Sequence, residues 1–107
     1  MVNPLAGEVG LSLDGDRHVM KLTLGALAEL EGRLGEGSLV DLVRRFESGG
    51  HSARDVLALI VAGLRGGGWA GTEADLLGVE IDGGLAEASR AAALLLLRAF
   101  SPLDATG

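Results

Sequence analysis

The two histidines, His18 and His51, are the residues of this chain best suited to move a proton near neutral pH or to hold a metal ion. Either task requires them to converge with carboxylates from distant segments. Their settings point elsewhere, because His18 falls in an alternating apolar stretch and His51 in a polar loop ahead of Ser52. Gly66-Gly67-Gly68-Trp69-Ala70-Gly71 satisfies G-x-G-x-x-G formally, but the nucleotide-binding version follows a strand and opens a helix. Here a helical pattern precedes it and no Lys-Ser/Thr follows, so the run reads as a flexible loop between helices. Asp14-Gly15-Asp16 lacks the further oxygen ligands and closing Glu of a calcium loop and reads as a turn. There is no Cys, and no Ser stands in a G-x-S-x-G elbow. The expectation is a protein that is not an enzyme, with no catalytic residues, cofactor or metal.

The remaining chemistry is that of surfaces. Between Gly66 and Ser89 the charged residues are Glu73, Asp75, Glu80, Asp82 and Glu87, with no Lys or Arg among them. Such a run is either a solvated face or a recognition surface for a basic partner, where charge steers the encounter. Trp69 is either a lid on the core or an exposed anchor. Leu94, Leu95, Leu96 and Leu97 are consecutive, and on a helix four consecutive positions cover nearly the whole circumference. At least one or two of them must point away from any single packing partner. With Phe100 and Trp69 they are the candidate protein-binding residues.

Positioning these groups falls to an N-terminal hairpin and a set of helices. Val9, Leu11 and Leu13 alternate with polar or small residues, and after Asp14-Gly15 the alternation resumes through His18, Met20 and Leu22. A two-residue loop pairs Val9 with Met20, Leu11 with His18 and Ser12 with Arg17; a four-residue loop keeps the same faces, and in either case the apolar face needs a cover. Thr23 is an N-cap for a helix bearing Leu24, Leu27, Leu30 and Leu34, ended by Gly35. Ser38, Ser52 and Thr72 each precede an Asp by three residues, the capping-box spacing. The apolar positions that follow are Leu42, Val43 and Phe46 in one helix and Val56, Leu59, Ile60 and Leu64 in the next. The longest helix runs from Leu85 to Phe100 and stops at Ser101-Pro102.

The expected architecture is α+β, mainly α: one domain, 1–107, with a hairpin over 7–23 followed by a compact bundle of four to five short helices. These lie at about 24–34, 39–48, 53–65, 73–78 and 84–100, and a frayed tail occupies 101–107. A chain of 107 residues can bury a core, which here is aliphatic: 48% of residues are apolar, with two Phe, one Trp and no Tyr. A net charge of −6 opposes nucleic-acid binding. The absence of Cys suits the cytoplasm, and neither a secretory leader pattern nor a run of 18 apolar residues is present, so no membrane association is expected.

Three segments carry a family likeness: Asn3-Pro4-Leu5-Ala6-Gly7-Glu8-Val9, the strand-to-helix junction Leu22 to Glu31 (LTLGALAELE), and Ala62 to Gly68 (AGLRGGG). Together they resemble the gene transfer agent and phage tail protein family over most of the chain. The resemblance implies a role in building a phage-like tail, either as a tail assembly chaperone or as a tail tube component. As a chaperone the chain holds tape measure protein helices for polymerising tail tube subunits; as a component it remains in the particle. The partners implied are tape measure and tail tube proteins, with self-association left open, in the cytoplasm or a virion-like particle. A small antitoxin-like or regulatory helical module is a further reading, supported by the acidic charge.

Overall fold

Three short polar side chains set the starts of three helices. The hydroxyls of Ser38, Ser52 and Thr72 accept from the backbone N–H groups of Asp41, Asp55 and Asp75, and each Asp carboxylate accepts in return from the cap residue's own N–H. The computed structural model describes residues 2–34 and 38–100. The expected helix stop at Gly35 and the tail from Ser101 lie outside the described residues.

After a single 3-10 turn at Pro4–Ala6, the chain forms β1 (Val9–Leu13), β2 (Asp16–Met20), α1 (Leu24–Leu34), α2 (Leu39–Ser48), α3 (Ala53–Gly66), α4 (Glu73–Leu77) and α5 (Gly84–Phe100). It is an α+β fold, mainly α, as the sequence predicts. The hairpin has the two-residue register: Val9 opposite Met20, Leu11 opposite His18, and Ser12 opposite Arg17. Asp14 and Gly15 both take positive φ, 49° and 85°, the backbone of a type I′ turn that matches strand twist. Val9, Leu11, Leu13 and Met20 are buried, so one face of the hairpin forms a wall of the core.

The central element is α3. Its positions from Leu59 to Leu64 are buried on every side, packed by α1, α5, α4 and β2. The contact with β2 requires glycine: a Cβ on Gly66 would lie 1.9 Å from the Lys21 carbonyl oxygen, and one on Gly67 would lie 2.0 Å from that of Val19. The Lys21 N–H donates to the Gly63 carbonyl at 2.9 Å, tying the strand exit to the last turn of α3. The glycine run is therefore in part a packing surface, and the expectation of a simple flexible loop is corrected for Gly66 and Gly67.

Two further features were not anticipated. The loop ahead of α5 pairs with the outer edge of β1: Leu13 bridges Ile81, Asp14 N–H donates to the Glu80 carbonyl at 2.8 Å, and Asp82 N–H donates to that of Ser12 at 3.1 Å. On α1 the buried residues are Ala26 and Leu30, while Leu24 is 86% exposed. Leu24 is the first residue of its helix and leans toward the helix N-terminus, past the end of the core it was expected to join.

Candidate functional site

Helix α5 packs on α3 and on β1, and its small residues Ala88, Ala91 and Ala92 let the backbones approach closely. The leucine run then divides as its 100° steps require. Leu95 and Leu96 are buried, at 0% and 5% exposure, and Leu94 is half-buried against the core. Leu97 is 61% exposed and Phe100 is 48% exposed. The expectation that all of these residues form a binding surface is thus corrected for Leu95 and Leu96, whose side chains fill the core. Leu97 and Phe100 remain available, and they border a cleft of about 450 Å³ whose other walls are Val43, Phe46 and Glu47 of α2 and Ala93 and Leu96 of α5.

Trp69 sits elsewhere. It is half-buried against the core, and its ring covers Gly71 so closely that a Cβ there would lie 2.3 Å from it. The Trp69 backbone N–H donates to the Leu64 carbonyl at 2.9 Å, and the guanidinium of Arg65 donates to the Gly71 carbonyl at 3.0 Å. Trp69 is a lid over the end of α3, and it lines a different cleft from Leu97 and Phe100.

Among the described residues neither histidine forms an ion pair with a carboxylate. The ring of His51 stacks on Phe46 with centroids 4.1 Å apart and planes 6° from parallel, and its buried Nδ1 has no hydrogen-bond partner among the described residues. His18 is half-buried on β2. Among the described residues no group of three or more His, Asp or Glu is placed to hold a metal ion.

The charged groups act mainly as structural ties. Arg45 grips Asp55 with two bonds, Nε to Oδ2 at 2.8 Å and Nη2 to Oδ1 at 2.9 Å. That guanidinium, with the Ser52 N–H, holds the Asp55 carboxyl below the usual range against the opposing pull of burial. Arg65 pairs with Glu29, Arg33 with Glu73, and Arg90 with Glu87. Bonds from Arg65 and Arg90 likewise lower the Glu29 and Glu87 carboxyls. Of the acidic run, Glu73 and Glu87 are therefore paired and Asp75 is a helix cap, which leaves Glu80 and Asp82 without an ion-pair partner among the described residues.

These two acids line a cleft of about 790 Å³ between α3, α4 and the start of α5. Two leucines on its border, Leu77 and Leu85, are 71% and 64% exposed. Neither was singled out from sequence. Each stands at the end of a helix, where the periodicity gives no face, and the cleft exists only once three helices meet.

The arrangement offers apolar clefts and fixed charge, which can bind protein surfaces. No curated protein and no solved structure matches the chain. The family model described as phage tail tube protein, GTA-gp10, matches residues 6–102. The chain belongs to this phage tail tube protein family, and its role lies in the tail of a phage-like particle.

Proposed function

We propose that the protein is a non-enzymatic tail assembly chaperone, acting in the cytoplasm and holding apolar helices of a tape measure protein until tail tube subunits polymerise around them. The observation that carries this reading is the exposure of Leu97 and Phe100 at the mouth of the cleft between α2 and α5, on the same helix as the buried Leu95. An exposed Leu and Phe on a rigid helix, flanked by an apolar hollow, offer anchors to an amphipathic helix laid alongside. Each such side chain yields about 25 cal/mol per Å² buried, less the cost of ordering the partner.

A second reading is retained because the family description itself names the tail tube: the chain is a tube-associated component that stays in the particle. Against it stands the supply of strand. The described residues hold one two-stranded sheet and one isolated bridge, little edge from which to close a ring. Co-expression with the tape measure and tail tube proteins of the same gene cluster, followed by pull-down and analysis of purified tails, tests the proposal. Recovery with soluble precursors but not with finished tails is the expected result. A constant ratio in finished tails overturns the chaperone reading in favour of the component.

A further inference from the structure

The cleft between α3, α4 and α5 is a second and chemically different surface. Its floor is core: Val56, Ile60, Leu76 and Ala88 are all buried. Its border is apolar too, with Leu77 and Leu85 standing out into solvent. A monomer in water gains nothing from two exposed leucines facing one hollow, and such a patch on a small protein marks an interaction site. The cleft at Phe100 is lined by one acid, Glu47, whereas this one has two, held on a single tied loop. Glu80 and Asp82 line it two positions apart on one loop, without an ion-pair partner among the described residues, within a stretch that carries five acids and no base between Gly66 and Ser89. Arg54 of α3 also lines the groove.

We infer that this groove, lined by Leu77 and Leu85 and bordered by Glu80 and Asp82, binds an amphipathic helix of a partner protein whose apolar face is flanked by Lys or Arg along one edge. The occupant follows from complementarity. The apolar floor takes Leu- or Val-sized anchors at i, i+3, i+4 and i+7 spacing. The unpaired carboxylates select basic residues beside those anchors, and an acidic partner helix meets repulsion there. The loop that carries both acids is fixed, because Glu80 N–H donates to Asp14 Oδ1 at 3.0 Å and Asp82 N–H donates to the Ser12 carbonyl. The charges are thus presented at a set height above the groove. A net charge of −6 steers a basic segment toward the protein from a distance, and added salt weakens that steering. The inference rests on the protein-binding role proposed above and gives the chemistry of a partner segment.

The test uses two synthetic 18-residue helical peptides with identical leucine faces, one flanked by lysines and one by glutamates. Binding is followed by methyl NMR of the full chain, reading Leu77 and Leu85 against Leu97. The lysine peptide is expected to shift Leu77 and Leu85 and to bind about tenfold more tightly than the glutamate peptide at low salt, an advantage that E80K/D82K abolishes. Both acids are exposed and use only backbone atoms in holding the loop, so the variant keeps the fold, and its methyl spectrum checks this. Equal affinity for the two peptides, or shifts confined to Leu97, overturns the inference. The chaperone reading fails separately, if wild-type protein captures no tape measure protein, and it survives if capture is lost with L97S but retained with L77S/L85S.

Discussion

Replacing Asp55 with Ala should destabilise the protein more than any other single change of a charged residue on α2 or α3. The carboxylate receives two guanidinium bonds from Arg45 and, as the third residue of α3, one bond from the Ser52 N–H. Hydrogen bonds to a charged group contribute about 1.5–3 kcal/mol net, and a lost cap costs about 0.5–1 kcal/mol. The Arg45 side chain is 35% exposed and can rehydrate once released, so the lower end of the first range applies. The sum is about 2–2.5 kcal/mol, which for a chain of this size lowers Tm by about 9–11 °C. The pH dependence follows from the direction of the shift. The folded carboxyl titrates below its ordinary value of 3.8, so its stabilisation is complete above that value and is lost as pH falls through the folded one. Urea unfolding of both proteins at pH 7 and near pH 3 checks this. A gap below about 1 kcal/mol at pH 7, or one that keeps its full size in acid, refutes the reasoning.

Leu95→Ala and Leu97→Ala, one buried and one exposed, should differ sharply: about 2–5 kcal/mol lost for the first and under about 1 kcal/mol for the second, by urea unfolding. Gly67→Ala should shift the melting curve down by at least about 8 °C, because the new Cβ meets the Val19 carbonyl that α3 packs against. Gly15→Ala, at a φ of 85° in the hairpin turn, should cost about 1 kcal/mol without altering the core, measurable by thermal melts. Leu97→Ser with Phe100→Ser should leave the circular dichroism spectrum unchanged and reduce recovery of co-expressed tape measure protein by at least about tenfold.

The local punctuation of the chain was legible. Ser38, Ser52 and Thr72 start the helices their spacing predicts, and Asp14-Gly15 sets the strand register, because caps and tight turns are decided within four residues. Sidedness was less legible. Leu24 fits the apolar stripe of α1 yet lies past the core, and Leu95 is indistinguishable from Leu97 until α3 and β1 supply a direction. The Gly66-Gly67 contact and the bridge to Ile81 join residues more than 40 positions apart, and no local pattern encodes such a meeting. Of the exposed apolar residues at the two clefts, the sequence points to Leu97 and Phe100 but not to Leu77 and Leu85, since a groove assembled from three helices has no signature in any one of them.

The bridge at Ile81 also governs the order in which the protein can form during synthesis. The outer edge of β1 stays unpaired until Ile81 and Asp82 have left the ribosome, and Arg98 later seals the approach to that strand by donating to the Glu8 carbonyl at 2.5 Å. Through most of translation the hairpin therefore presents an open backbone edge and a bare apolar face, the features that template wrong pairings.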